Sequence, residues 1–343
     1  MQESGPLGSS PTPEMYWSEP MTAKFLKNFE IATREASKYD VIHVNRANPF
    51  TATILTLARG SKSALVVDME DFDGYGGYSS YIDDRGPKGW ILTSYERTFP
   101  KNASLVVVVS DLLFSYMLRV GIPRARLVKI PNGFDPQVFR REITGLSVRR
   151  KYDLGEDPVV MYASAYWKFE RKLHELAFAS FSRVCKALPR AKLLVVGTGN
   201  LDVAGLVREY GLTDNAILTG YVPRSMMPEL MAAADVALHI ISDHPFHRAS
   251  SPMIISEYMA MGKAIVAPQV GELSRMLGGG TGRLVQSLNP EAVSGEVVTL
   301  LKNDKLRAET GERASAAAEG LSYEVLAKTL AASYEEALAR NAR

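Results

Sequence analysis

Short apolar runs alternate with helix-period segments along most of this chain, and that alternation limits the fold more than any other feature. The runs are rich in Val, Ile and Leu, as in parallel strands buried on both faces. In the first half they cover 41–44, 64–68, 105–109 and 127–130. Between them the spacing predicts helices over 22–38, 50–59, 88–99 and 111–120. In the second half the runs cover 159–163, 193–197, 216–220, 236–241 and 264–267. Two such series predict an α/β protein with two doubly wound, Rossmann-like domains facing a cleft.

The composition excludes several classes of protein. With 343 residues, the chain is long enough for two domains. A formal net charge of +2 gives no reason to expect a nucleic acid partner. Cys185 is the only cysteine, which rules out an internal disulfide and favours the reducing cytoplasm. No apolar run reaches the roughly 18 residues of a membrane-spanning helix. Residues 1–20 are rich in Gly, Ser and Pro, and we expect them to be disordered or derived from cloning.

Residues 250–272 point to chemistry. They predict a tight turn, a short helix, a buried strand and a loop. Ser250 and Ser251 are residues of the N-cap type, and Pro252 suits the first helical position. A helix N-terminus presents free N–H groups and a positive dipole end, which suit a phosphate. Glu257 follows about one and a half turns later, within reach of a ribose attached to that phosphate. The alternative is a capped packing helix with one solvated acid.

Three segments, in this order, resemble the GT-B glycosyltransferases of the retaining family-4 group. Residues 250–272 resemble the donor-site signature of that family. Residues 106–139 resemble its passage into the interdomain linker, and 193–221 resemble two strands of its C-terminal domain. The resemblance implies three parts: a partial acceptor-side domain at 21–150, a donor-binding domain at 151–320, and a closing helix at 321–343 that packs on the first domain. The strand and glycine-rich loop that open the family's first domain have no counterpart here, so we expect an incomplete N-terminal domain.

The resemblance also implies an activity. Family members move a sugar with retention, and without a metal, from a nucleotide-diphosphate sugar to a glycan, lipid-linked or natural-product acceptor. The nucleotide sugar is then a co-substrate, and no cofactor or metal is expected. The missing opening units favour an alternative, a catalytically impaired or partial GT-B protein that binds a nucleotide or another protein. A partner chain that completes the N-terminal domain remains open.

Peripheral contact with the inner face of the membrane remains open as well, because many relatives act on lipid-linked acceptors. The side chains that could make this contact are Arg119, Arg124, Arg126, Lys129, Phe114, Tyr116 and Met117. A solvated helix and loop is the alternative.

On the donor side, the family stabilises the leaving diphosphate with basic side chains and a helix N-terminus. Arg171 and Lys172 are the candidates for this role, although the family's own Arg–Lys spacing is absent. Solvated positions at the start of a helix are the alternative. Glu257 matches the second of the family's two glutamates, which contacts the ribose.

Three further positions near the donor follow from the resemblance. The first family glutamate falls on Ala249, and Arg248 beside it could serve instead, as could His247. Gly199, in a Gly-Thr-Gly loop, suits a turn near the nucleobase. Glu272 resembles a Gly-Glu element near the donor, with a surface acid as the alternative.

On the acceptor side, the acidic loop at 66–80 should face the cleft. Glu70 falls where relatives often carry a His that contacts the donor sugar, and Asp71 follows it. These acids could orient acceptor hydroxyls or stabilise positive charge on the sugar, whereas a mobile surface loop is the alternative. His43 follows an apolar strand, and a satisfied core histidine is predicted there in preference to a catalytic base.

Overall fold

A computed structural model describes residues 26, 29, 38–47, 51, 62–82, 86–165 and 168–341. The segment predicted as disordered, 1–20, lies outside these residues. So do most of the helices predicted over 22–38 and 50–59.

Among the described residues, the first sheet contains four parallel strands in the order β1-β2-β3-β4. They are β1 Val41–Asn45, β2 Ala64–Met69, β3 Leu105–Val108 and β4 Leu127–Lys129. The helices described in this half are α1 Ser79–Ile82, α2 Pro87–Thr98 and α3 Asp111–Val120. Val66, Val106 and Val108 in the two central strands are fully buried, as expected for strands covered on both faces. The four strands predicted for this half are confirmed.

The second sheet contains six parallel strands in the order β10-β9-β8-β5-β6-β7. They are β5 Val159–Ala163, β6 Lys192–Val196, β7 Ala216–Gly220, β8 Val236–Leu238, β9 Ala264–Pro268 and β10 Arg283–Val285. Strand β10 was not predicted, because three residues are too few to show a period. Strand β8 is shorter than predicted and ends at Leu238.

The remaining helices cover both faces of the second sheet, apart from the last one, which packs on the first sheet. They are α4 Leu146–Lys151, α5 Arg171–Ala187, α6 Val203–Glu209, α7 Met227–Ala233, α8 Pro245–Ala249, α9 Met253–Ala260, α10 Gly271–Met276, α11 Pro290–Lys302, α12 Asp304–Ala318 and α13 Tyr323–Asn341. Along β5, Val159 and Met161 pack into one hydrophobic cluster, and Val160 and Tyr162 into the other. Alternate residues of one strand therefore build two cores, which confirms a doubly wound domain.

Helix α13 packs against the first sheet. Its Ala337 is fully buried against Ala64, Val66 and Leu105. Among the described residues, every helix is too short or too polar to cross a lipid bilayer.

Candidate functional site

Two cavities meet at the carboxyl end of β5, where Ser164 and Ala165 line both of them. The interdomain cavity, of about 390 Å³, lies between the domains. It is lined by Arg46, Asp71, Asp73 and Tyr78 of the first domain and by Ser164, Ala165, Phe169, Glu170, Phe246 and His247 of the second. The inner cavity, of about 410 Å³, lies within the second domain. The two cavities therefore adjoin the same two residues at the end of β5.

The inner cavity is mostly apolar. Val196, Val222, Met227 and Ile254 contribute to its lining. Burial lowers the pKa of His239, which also lines it, to about 4, so this imidazole is neutral at neutral pH. Its Nε2 atom has no hydrogen-bond partner among the described residues. An apolar cavity of this size suits a flat heterocycle such as a nucleobase.

The glycine at this cavity is not the one predicted. Gly199 is exposed and does not line either cavity. Gly197, two residues earlier, lines the inner cavity with a backbone φ of 122°, a conformation that requires glycine. The predicted Gly-Thr-Gly loop thus reaches the cavity through its first glycine.

Helix α9 begins one residue later than predicted. Pro252 is its N-cap, and no side chain caps the helix. The two serines have other partners, since the Ser250 hydroxyl donates to the carbonyl of His247 at 2.9 Å and Ser251 Oγ accepts from the N–H of Asn132 at 3.2 Å. The N–H groups of Met253 and Ile254 consequently have no partner among the described residues. This helix start can therefore still receive an anion.

Glu257 lies on the same helix and is only 3% exposed. Its Oε1 accepts a hydrogen bond from Arg224 Nη2 at 2.5 Å. Burial raises the pKa of this carboxyl, and Arg224 opposes the rise. Arg224 Nη2 also lies 3.4 Å from the sulfur of Met253, so one cation contacts both the start of α9 and its acid.

The first-domain wall of the interdomain cavity carries one cation between two acids. Arg46 forms ion pairs with Asp71 and with Asp73, the second at 3.7 Å. Its backbone φ of 65° is uncommon for a residue other than glycine and is typical of functional positions. The predicted Asp71 is therefore at the cavity.

Side chains of helix α2 hold the loop that carries Asp71 and Asp73. Glu96 Oε1 accepts from the N–H of Asp73 at 2.6 Å, and Thr93 Oγ1 accepts from the N–H of Tyr75 at 2.7 Å. Burial raises the pKa of Glu96 to about 8. Burial also raises the pKa of Asp73, with Arg46 acting against it. The loop is thus held through its backbone N–H groups, while its two carboxylates pair with Arg46 at the cavity.

The second-domain wall is built around His247. This ring lies between Glu170, at 2.8 Å from its Nε2, and the Ser242 hydroxyl, at 2.9 Å from its Nδ1. Tyr81 of the first domain packs nearby, with ring centroids 5.0 Å from Phe169 and 4.8 Å from His244. Aromatic contacts thus join the two domains beside the cavity.

The candidate diphosphate ligands lie elsewhere. Arg171 is exposed and donates to Glu175 at 2.6 Å and to Glu209 at 3.2 Å. Lys172 is exposed as well. Neither residue lines the two cavities. Arg171 is held by an acid one turn along its own helix, so its role at the diphosphate stays a prediction.

Arg248 and Glu272 line a third cavity, of about 260 Å³, which they share with Asp111. Arg248 is paired with Asp243, with Nη2 and Oδ2 at 2.7 Å. Glu272 is only 3% exposed and accepts from the N–H of Asp111 at 2.6 Å, which connects the domains. Their contact with the donor stays a prediction.

Ala249 occupies the position of the missing family glutamate for a packing reason. It is fully buried in the hydrophobic cluster of the first domain, together with Leu113 and Met117. A carboxylate there would lie in an apolar core, which is costly without a partner.

Three other predicted positions have different surroundings from those expected. Glu70 is half-buried and does not line the interdomain cavity. His43 was predicted to be a core histidine, and this is wrong: it is exposed on β1, with Nδ1 2.5 Å from the Tyr334 hydroxyl. Met117, predicted for membrane contact, is fully buried.

Sequence reasoning missed Arg46, Glu170 and Arg224. Arg46 and Glu170 follow β1 and β5, and the rule that ligands bind at the carboxyl ends of parallel strands could have indicated both. Nothing local in the sequence marks Arg224. Among the described residues, no group of three or more His, Cys, Asp or Glu side chains is arranged to hold a metal ion, and metal independence stays a prediction.

Comparisons with known proteins agree with this architecture. Residues 157–303 match the family model described as glycosyl transferases group 1, and residues 5–133 match the glycosyl transferase 4-like domain. The second match begins within the segment predicted to be disordered or derived from cloning. This chain belongs to the GT-B glycosyltransferases of the GT4-like type.

Curated relatives are distant in sequence. The chain is 24% identical over 295 residues to N-acetyl-alpha-D-glucosaminyl L-malate synthase of Bacillus anthracis, covering 84% of this chain and 71% of the relative. It is 29% identical over 218 residues to D-inositol 3-phosphate glycosyltransferase of Segniliparus rotundus, covering 61% of this chain and 46% of the relative.

Solved structures share the fold. Sucrose-phosphate synthase from Thermosynechococcus elongatus superposes with a TM-score of 0.73 at 21% identity, covering 98% of this chain and 82% of that one. Anabaena HepE in complex with UDP superposes with a TM-score of 0.71 at 18% identity, covering 90% and 81%. The predicted fold class and the prediction of a glycosyltransferase are confirmed. The same matches support a nucleotide-sugar donor and do not favour the alternative of a binding module.

Proposed function

We propose that this chain transfers a sugar, with retention and without a metal, from a nucleotide-diphosphate sugar to a hydroxyl of a glycan, lipid-linked or natural-product acceptor. The observation that carries this proposal is the pair of cavities that share Ser164 and Ala165. One is apolar and suits a base, and the other lies between the domains and carries carboxylates.

The chemistry follows from the order of groups along the two cavities. A base in the inner cavity would place its ribose toward Glu257 and its diphosphate toward the start of α9. The free N–H groups of Met253 and Ile254, with Arg224 beside them, would stabilise the charge of the leaving diphosphate. The sugar would then lie in the interdomain cavity, where Asp71 and Asp73 would stabilise positive charge that develops on the ring.

The relatives guide the choice of donors to test. Two solved structures of Anabaena HepE hold UDP and UDP-glucose. Two curated relatives are named for N-acetylglucosaminyl and mannosyl transfer. We therefore propose a UDP sugar as the first donor to test and GDP-mannose as the second, with the reaction in the cytoplasm.

Docking at the inner face of the membrane is a further part of the proposal, for the case of a lipid-linked acceptor. Its support is limited to basic side chains, because Met117 is buried and the ring of Phe114 is covered by Arg124 at 4.6 Å. Retention and metal independence rest on the family resemblance.

Calorimetric titration with UDP and GDP tests the donor site directly. Glu257→Gln should lower the affinity for whichever nucleotide binds by about tenfold or more, because a charge-assisted hydrogen bond to the ribose is lost. Glu296→Gln is the matched control, since this acid pairs with Arg283 and lines neither cavity.

Transfer assays with UDP-glucose, UDP-N-acetylglucosamine and GDP-mannose, in EDTA, test the reaction itself. NMR of the product's anomeric proton should show the configuration of the donor. A folded chain that binds no nucleotide would contradict the proposal. Activity that EDTA abolishes, or a product of inverted configuration, would contradict its metal independence or its retention.

A further inference from the structure

Glu170 brings a carboxylate to the interdomain cavity. Its side chain is 15% exposed, and its Oε1 lies 2.8 Å from Nε2 of His247. Its other oxygen makes no hydrogen bond to a described residue. Glu170 is also the N-cap residue of α5, yet its side chain makes no capping hydrogen bond. The carboxylate is thus directed to His247 and the cavity rather than to its own helix.

His247 is itself held in place. It is 6% exposed, and its Nδ1 lies 2.9 Å from the Ser242 hydroxyl. Both ring nitrogens are therefore occupied, which fixes the ring plane and, through Nε2, the orientation of the Glu170 carboxylate. A carboxylate oriented in this way resembles a ligand contact rather than a mobile surface acid.

The opposite wall is electrostatically different. Arg46 pairs with both Asp71 and Asp73, so those two acids share one cation. The guanidinium is fully charged, whereas a histidine offers Glu170 a full charge only when it is protonated. Glu170 is therefore the acid of the cavity best able to accept from a neutral donor. Sugar hydroxyls are such donors, and hydrogen bonds to a carboxylate are among the stronger ones.

We propose that Glu170, oriented by His247, accepts a hydrogen bond from one hydroxyl of the donor sugar and thereby determines which sugar the cavity selects. This inference rests on the proposed function and adds a specificity-determining residue to it. His247 is a positioning residue in this arrangement.

The test compares free nucleotides with nucleotide sugars. Glu170→Gln should leave the Kd of UDP, or of GDP if that is the base bound, within about twofold. It should raise the Kd of the intact nucleotide sugar by about tenfold, the usual effect of losing one charge-assisted hydrogen bond. Binding of the free nucleotide also shows that the variant is folded, and Glu296→Gln again serves as the control.

Deoxy derivatives of the donor sugar then identify the hydroxyl. In the wild-type chain, removing the contacted hydroxyl should weaken binding by about tenfold. In Glu170→Gln, removing the same hydroxyl should leave the Kd of the nucleotide sugar almost unchanged. Removing any other hydroxyl should change the Kd by the same factor in both proteins. This coupling to a single hydroxyl is a readout that a purely structural role would not produce.

His247 supplies a second readout. His247→Phe should lose the coupling between Glu170 and the hydroxyl, whereas His247→Gln, which retains a donor, should restore part of it. The proposal would be overturned if Glu170→Gln weakened the binding of UDP and of the nucleotide sugar equally. It would also be overturned if every deoxy derivative lost the same affinity in the variant as in the wild type. A wild-type chain that binds nucleotide but no nucleotide sugar would overturn it while leaving the nucleotide site intact. A wild-type chain that binds neither would overturn the proposed function itself.

Discussion

The carboxylate of Glu272 accepts a hydrogen bond from the backbone N–H of Asp111 at 2.6 Å, and this bond joins helix α10 of the second domain to the start of α3 in the first. The acid is only 3% exposed, and its other oxygen accepts from Arg275 at 2.8 Å. A residue that the sequence associates with the donor is therefore part of the domain interface.

Replacing Glu272 by Ala should lower the free energy of unfolding by about 1–3 kcal/mol, because the Asp111 N–H loses a buried acceptor. Urea denaturation measures this loss, and Glu296→Ala should change stability much less, since its ion pair is partly exposed. The affinity for UDP should change little. A tenfold weaker UDP affinity in a stable Glu272→Ala protein would instead support the donor contact predicted from the sequence.

Glu96 should make stability depend on pH. Its pKa is raised by burial from an ordinary 4.5 to about 8. Below pH 4.5 the carboxyl is protonated in the folded and unfolded chains, and its contribution to stability is fully present. As the pH rises the unfolded chain releases this proton first, so stability falls until the folded carboxyl ionises near pH 8.

The measurement is the free energy of unfolding from about pH 5 to about pH 8.5, in the wild type and in Glu96→Gln. Across that range the wild type should lose on the order of 3 kcal/mol of unfolding free energy relative to the variant. Parallel curves would show that Glu96 has an ordinary pKa.

Arg224 should matter to the nucleotide as well as to Glu257. Its guanidinium contacts the acid at 2.5 Å and lies 3.4 Å from the sulfur of Met253, at the start of α9. Arg224→Ala should weaken the binding of UDP or GDP by about tenfold, because a cation beside the diphosphate is lost. It should also raise the pKa of Glu257 further, because the buried acid loses its positive partner.

Calorimetry on Arg224→Ala and on Arg283→Ala, an arginine paired with Glu296 outside both cavities, measures this effect. Unchanged affinity would remove Arg224 from the nucleotide site. Tighter binding would mean that Arg224 competes with the ribose for Glu257.

Gly133 should resist substitution for a steric reason. A Cβ atom at this position would lie 2.2 Å from the carbonyl oxygen of Leu321, just before the closing helix α13. The two segments are also hydrogen bonded, from the N–H of Phe134 to Leu321 at 3.1 Å. Gly133→Ala should therefore lower the free energy of unfolding by about 1–3 kcal/mol.

Gly295 gives the matched control within helix α11. A Cβ there meets nothing within 4 Å, so Gly295→Ala should stabilise by about 0.5–1 kcal/mol. Thermal unfolding of both variants distinguishes the close approach at Gly133 from a general effect of alanine. Equal stability of the two variants would contradict the steric argument.

The strands were predictable because each is a local pattern. Val106 and Val160 lie in continuous apolar runs, and such runs indicate strands covered on both faces wherever they occur. Strand β10 has only three residues, and its place beside β9 depends on pairing rather than on its own sequence. The start of α9 was misplaced by one residue, because the hydroxyls of Ser250 and Ser251 bind other parts of the chain.

The sequence by itself determined the alternation of strands and helices, the family resemblance, and a helix that carries Glu257. These depend on neighbours within a few turns of the chain. Only the tertiary structure brought Arg46 beside Asp71, Glu170 beside His247, and Arg224 beside Glu257. The last two pairs are separated by 77 and 33 positions in the sequence, and the crossover connections between parallel strands decide which of these charges meet. The strength of the Glu170–His247 pair is likewise a tertiary property, because both side chains are largely buried and little water remains to screen them.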